Sequence, residues 1–191
     1  MADEYTPEEL RSFLTSLGMM LAADNRQYDI MLFGGGVMCY AKEIRSMTKD
    51  IDFVYLDAGI LYDSDEYFQS KITAVAEKRG LDEMWMESTA GVHVTQEIRD
   101  TAELFEVLGG LRIFIPSLEA ILALKTLSAR TDTDKHDVED VRWLLEQLSI
   151  IPTADELLRV ARDYCGLEVD LLYSNAIKRQ QLLDFVELVK R

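Results

Sequence analysis

The chain has 191 residues, of which 48% are hydrophobic and 29% charged, a composition typical of a globular domain with a sizeable core. No run approaches the roughly 18 apolar residues of a membrane span, and the acidic N-terminal stretch lacks the apolar segment of a signal peptide. The formal net charge of −15 repels polyanions and disfavours sequence-specific DNA binding, while two cysteines, Cys39 and Cys165, favour a reducing cytoplasm.

The N-terminal third predicts alternating helices and strands. A first helix has Thr6 as its cap and Pro7 in its first turn. A short apolar run that ends in glycines is typical of a buried strand. A short helix and a second strand follow it. The predicted elements are helix 7–23, strand 28–33, helix 37–44 and strand 51–56.

The middle of the chain predicts one helix and a hairpin. The helix covers 64–78, with Ser64 as its cap and Gly80 as its C-terminal stop. Residues 84–91 have no clear pattern, and short strands are expected at 92–94, 104–108 and 111–115. Because Gly109 and Gly110 separate the last two strands, these strands form a predicted hairpin.

The last third predicts helices only. Ser117 caps the first, Thr153 and Glu156 form a capping box, and the predicted helices begin at 118 and span 137–148, 154 onwards and 169–190. The predicted fold is therefore α+β. Residues 1–116 form a small mixed sheet flanked by helices, and residues 117–191 form a helical region packed on that core.

Two aspartates stand at the start of the second predicted strand. Side chains at positions i and i+2 of a strand lie on the same face, so Asp50 and Asp52 project together. Two neighbouring carboxylates repel one another unless a cation lies between them, and hard oxygen ligands suit Mg²⁺ or Mn²⁺. In the alternative, Asp50 caps a turn and Asp52 lies at a solvated edge.

Three consecutive glycines, Gly34, Gly35 and Gly36, follow the first predicted strand. Bare backbone there can approach a ligand closely and can direct amide groups at an anion. Any tight turn from strand to helix could also use glycine. Together with the aspartate pair, however, the glycines suggest a site that binds both the phosphates and the cation of a nucleoside triphosphate.

The order of these motifs resembles a known family. Gly35-Gly36, a short helix, Arg45 and then Thr48-Lys49-Asp50-Ile51-Asp52 are similar to the signature of the polymerase-β-like nucleotidyltransferases. The motif is similar to that of the small prokaryotic members, including abortive-infection and related toxin enzymes. The resemblance implies that Asp50 and Asp52 bind the metal, that the glycines with Thr48 and Lys49 bind the triphosphate, and that Arg45 supports them.

A second stretch, residues 115–148, is similar to the helical region of the same proteins. The matching residues are Glu119, Lys125, Arg130, Asp137 and Asp140. The resemblance implies that Lys125 and Arg130 meet phosphate, supported by Glu119 and the two aspartates. Asp137 and Asp140, at positions i and i+3, could fix Lys125 or Arg130. Alternatively, Lys125 extends along the surface of its helix.

The family normally supplies a third carboxylate from a later strand. Glu106, in Leu104-Phe105-Glu106-Val107-Leu108, is the candidate, and Glu103 and Glu97 are alternatives.

The expected function is Mg²⁺-dependent transfer of a nucleoside monophosphate from an NTP to a hydroxyl of RNA or protein. The resemblance also suggests the toxin of a toxin–antitoxin pair, with an antitoxin as a further partner. A member of the same fold that binds nucleotide or a protein without turnover is the alternative. Glycosyltransferases also use Asp-x-Asp, but their fold needs a larger sheet before the motif than the first 49 residues provide.

Overall fold

The computed structural model describes residues 4–56, 65–88, 93–128 and 135–191. It confirms a mixed α/β fold with C-terminal helices. The chain forms two compact units: Met1–Val92 with Ala102–Pro116, and His93–Thr101 with Ser117–Arg191. No helix in the described ranges combines the length and hydropathy of a membrane span.

In its described residues, the first unit is a five-stranded mixed sheet with three helices. Its elements are α1 (Pro7–Ala23), β1 (Tyr28–Phe33), α2 (Gly34–Tyr40), β2 (Ile51–Tyr55), α3 (Glu66–Arg79), β3 (Met86–Glu87), β4 (Glu103–Leu108) and β5 (Leu111–Ile115). The strand order is β3-β2-β1-β5-β4. Strand β1 is antiparallel to β2 and parallel to β5; β3 is parallel to β2, and β4 is antiparallel to β5.

Apolar side chains of these strands form the core of the first unit. Ile30, Leu32 and Phe53 are fully buried, as are Phe68 of α3 and Trp85 just before β3. The Trp85 indole donates a hydrogen bond to the backbone carbonyl of Ile72, at 3.3 Å, so the ring is satisfied inside the core. The packing of the sheet fixes the register between β2 and β3.

The second unit is helical. It contains α4 (Gln96–Arg99), α5 (Leu118–Leu127), α6 (Lys135–Leu148), α7 (Ala154–Cys165), α8 (Leu167–Tyr173) and α9 (Ala176–Val189). Helix α5 packs against α7 and α6, and α6 packs against α9. The caps predicted at Thr6, Ser117 and Thr153 are confirmed, since each side chain accepts a hydrogen bond from a backbone amide of the first turn.

Several predicted boundaries are wrong. Helix α2 covers the three glycines and ends at Tyr40, instead of covering 37–44. Ser64 lies outside the described residues, and Asp65 caps α3, accepting from Phe68 N at 2.9 Å. The single helix predicted over 169–190 is two helices, because Asn175 side-chain oxygen caps a new helix at Ala176.

The region around residue 93 also differs from the prediction. Val92 lies outside the described residues, and His93 and Val94 are not in a strand. Helix α4 follows directly, with Thr95 as its cap. The hairpin of β4 and β5 is confirmed, and Gly109 at its turn has a φ of 59°, which favours glycine.

Candidate functional site

The three glycines pack the first turn of α2 against the start of β2. At Gly34 the backbone φ is 65°, and a Cβ would lie 2.2 Å from Asp52 Oδ2. A Cβ at Gly36 would lie 3.2 Å from the Ile51 Cα. Glycine is therefore required at position 34 both for the left-handed backbone and for the space that the Asp52 carboxylate occupies.

The middle glycine faces two of the predicted site residues. A Cβ at Gly35 would lie 3.0 Å from Arg45 Nη1 and 3.1 Å from Thr48 Oγ1. Thr48 is buried, its hydroxyl donates to the backbone carbonyl of Asp50 at 3.3 Å, and its backbone pairs with Tyr5. Thr48 thus fixes the segment that leads into β2, while Lys49 beside it is exposed.

Sequence reasoning missed one carboxylate, Glu87. Residue Glu87 of β3 is the register partner of Asp52 of β2, so the two backbones lie about 4.8 Å apart. Burial raises the pKa of the Asp50 carboxyl, the negative charge of Glu87 raises it further, and the charges of Lys49 and Arg45 oppose this. Asp50, Asp52 and Glu87 therefore belong to one acidic region at the start of β2.

Glu106, the predicted third carboxylate, lies elsewhere in the sheet. Strands β1 and β5 separate its strand from β2, a distance of roughly 14 Å at the usual strand spacing. Its carboxylate accepts hydrogen bonds from Arg11, at 2.5 and 3.0 Å, and from the Tyr40 hydroxyl. Glu103 is exposed at the start of the same edge strand, and Glu97 is on α4 of the second unit.

The acidic region fits a magnesium ion in its chemistry. Within the described ranges, no three histidine, cysteine, aspartate or glutamate side chains are grouped to hold a metal by themselves. Mg²⁺ is usually bound through one or two carboxylates, with water and substrate phosphates as its other ligands. Asp50 and Asp52 are both half-buried, and the absence of a Cβ at Gly34 leaves room for the Asp52 carboxylate. These two carboxylates match that pattern.

The second predicted motif forms a buried ion-pair network in the second unit. The Lys125 ammonium lies 2.7 Å from Asp137 and 2.8 Å from Asp140, and Asp140 is fully buried. The predicted link between these aspartates and Lys125 is therefore present. Because the Lys125 side chain is only 8% exposed and contacts two carboxylates, the network gives it a structural role in joining α5 to α6.

Two other predicted residues belong to the same part of the chain. Arg130 lies outside the described residues. Glu119 lies in the first turn of α5, where it lines a cavity of the second unit together with residues of α7.

Replacing Gly34 by alanine tests the packing of Asp52. Gly80 offers a matched control, because its φ of 69° is similar and a Cβ there would meet nothing within 4 Å. Both Gly34→Ala and Gly80→Ala incur the cost of a left-handed alanine, about 1–2 kcal/mol. Only Gly34→Ala also displaces the Asp52 carboxylate, so we expect it to lose about 1–3 kcal/mol more. Urea denaturation measures the difference, and equal losses would contradict the described contact.

No protein-family model matches the sequence, and comparisons with curated proteins and with solved structures give no match either.

Proposed function

We propose that the first unit is a Mg²⁺-dependent nucleotidyltransferase that transfers a nucleoside monophosphate from an NTP to a hydroxyl group. One observation carries this proposal: the glycine turn of α2 lies directly against the Asp52 carboxylate, with Asp50 and Glu87 beside it. Backbone that can approach phosphate and carboxylates that can bind a cation are thus adjacent.

Asp50 and Asp52 are the residues that would hold the cation. When bound, Mg²⁺ supplies positive charge to the triphosphate oxygens and lowers the cost of charge that develops during transfer. Arg45, next to Gly35, and the exposed Lys49 add positive charge near the same turn. These side chains favour an anionic ligand at the site despite the net charge of −15.

Glu87 is the carboxylate we assign to the attacking hydroxyl. It accepts the hydroxyl proton as the acceptor oxygen forms a bond to the α-phosphorus. The bond between the α-phosphorus and the bridging oxygen breaks, and pyrophosphate leaves with that oxygen. Glu87 is half-buried on β3, next to the residues that would hold the cation, which is where a general base for this step is needed.

A protein hydroxyl is the favoured acceptor. The charge of −15 repels RNA, and tight RNA binding would need a basic partner or counterions. An activity of this kind would suit a toxin that an antitoxin restrains.

A nucleotide-binding protein without turnover is the second candidate. The position of Glu106 favours it, because strands β1 and β5 separate the carboxylate that the resemblance implies from Asp50 and Asp52, and catalysis of this type depends on accurate positioning. The two candidates share the same binding site and differ only in the chemical step.

Nucleotide binding is tested by thermal unfolding with ATP, GTP, CTP or UTP, with and without Mg²⁺. At a concentration one hundred times the Kd, a nucleotide that binds only the folded state adds about 2.7 kcal/mol. We expect this gain for at least one nucleotide, only with Mg²⁺, and we expect Asp50→Asn to abolish it.

The matched control is Glu83→Gln, which removes the same charge from an exposed side chain of the first unit. It should keep the full stabilisation. An equal gain with and without Mg²⁺, or an equal loss in both variants, would contradict the metal site at Asp50.

A further inference from the structure

The second unit contains a cavity of about 520 Å³ between three helices. One wall is the first turn of α5, another is the end of α6, and the third is α7. Helix α6 ends in a left-handed turn at Ser149, whose φ is 54°, and Ile150 N bonds back to Leu145 O at 2.9 Å. This turn places Leu148 and Ile150 at the cavity, which Val160 of α7 also lines.

The charges that line the cavity do not balance. Arg159 is already paired along its own helix, with Glu156 at 2.9 Å and Asp163 at 3.4 Å. Glu119 is half-buried, and within the described ranges it is not among the residues that form a hydrogen bond or an ion pair. The described lining therefore carries one net negative charge, from Glu119 and Asp163 against Arg159, which favours a cationic ligand at Glu119.

The remaining lining is suited to a hydrocarbon chain that ends in a cation. Leu148, Ile150 and Val160 supply apolar surface, and Tyr164 supplies an aromatic ring that can attract a cation. The backbone carbonyl of Tyr164 accepts a hydrogen bond from the Thr95 hydroxyl at 2.6 Å, which fixes this end of α7. Aliphatic methylenes would pack on the walls while an ammonium group meets Glu119.

We propose that this cavity binds an aliphatic chain carrying a primary ammonium group, with Glu119 as its counter-ion. The group can come from a free polyamine or from a lysine side chain of a partner protein. The proposal does not rest on the nucleotidyltransferase activity, because the described residues that line the cavity all belong to the second unit.

Isothermal titration calorimetry of the full chain at physiological ionic strength tests the proposal. The probes are spermidine, N-acetyl-lysine N-methylamide and N-acetyl-norleucine N-methylamide, the last of which keeps the carbon chain and lacks the ammonium group. We expect saturable binding of at least one cationic probe at one site per chain, and none of the norleucine compound. A preference for spermidine would support the polyamine as source, and a preference for the lysine compound would support a protein side chain.

Two variants separate this site from general attraction to an acidic protein. Glu119→Gln should weaken binding about tenfold or more, because it removes one charge-assisted contact. Glu146→Gln removes the same charge from an exposed position of α6 that does not line the cavity, and should bind as the parent does. Equal affinities of the two variants would overturn the proposal. The absence of saturable binding to the unmodified chain would also overturn it, whatever the variants do.

Discussion

Glu87→Gln is expected to lower the rate of nucleotide transfer by about 10²–10⁴-fold, the usual cost of losing a general base. The amide keeps the size of the side chain on β3 but cannot accept the proton of the attacking hydroxyl. Asp50 and Asp52 are unchanged, so nucleotide with Mg²⁺ should still stabilise the protein. Single-turnover transfer from a labelled NTP, beside thermal unfolding of the same sample, separates the chemical step from binding.

Glu83→Gln and Glu106→Gln are the comparisons for this experiment. Glu83→Gln removes an exposed charge shortly before β3 and should leave the rate unchanged. Glu106→Gln removes the negative charge that faces Arg11 and one of the two oxygens that accept from Arg11 and Tyr40, and should act on stability more than on rate. Loss of turnover in Glu106→Gln, with normal turnover in Glu87→Gln, would return the role of general base to Glu106.

Lys125→Met is expected to lower the free energy of unfolding by about 3–5 kcal/mol. The substitution removes the ammonium that lies 2.8 Å from the fully buried Asp140. A buried carboxylate that loses its cation is far more costly than a broken surface pair. Chemical denaturation followed by far-UV circular dichroism measures the loss.

The surface pair of Lys190 and Glu187 is the control for Lys125→Met. The Lys190 ammonium lies 2.7 Å from the Glu187 carboxylate, a distance similar to that between Lys125 and Asp140, but both side chains are exposed. Lys190→Met should therefore cost about 0–1 kcal/mol. The double variant Lys125→Met with Asp140→Leu should recover much of the stability, because it removes both buried charges. A small effect of Lys125→Met on stability, with a large loss of nucleotide affinity, would instead support the phosphate-binding role that the sequence predicts.

Local chemistry made much of the fold predictable. Thr6, Ser117 and Thr153 cap helices because their hydroxyls accept from amides of the following turn, which needs no distant contact. The short apolar runs of β1 and β2 and the glycine pair of the hairpin are equally local features. Because these elements form as predicted, the predicted fold class is confirmed.

Features that depend on distant contacts were not predictable. Strand β3 has two residues and is defined by its pairing with β2, where Ile51 N donates to Trp85 O at 2.9 Å. A stretch this short has no periodicity, so Glu87 was missed, although an acid directly after Trp85 and Met86 was a usable indication. The burial of Lys125 depends likewise on the packing of α5 with α6.

The three glycines have both a proposed role in function and an observed role in packing. Their clustering suggested an anion site, while the structure gives Gly34 a packing reason, the space taken by Asp52. The same contact positions the carboxylate on which the proposed metal site depends. Both the packing and the proposed function therefore require glycine at position 34.

Release of pyrophosphate is the most direct test of the proposed activity. The chain is incubated with Mg²⁺, each labelled NTP and a mixture of protein and RNA acceptors, and Asp52→Asn is treated in parallel. We predict pyrophosphate and a labelled macromolecule with the unmodified chain, and neither with Asp52→Asn. Mg²⁺-dependent nucleotide binding without any transfer would contradict the proposed enzymatic activity and would support nucleotide binding without turnover as the function of this site.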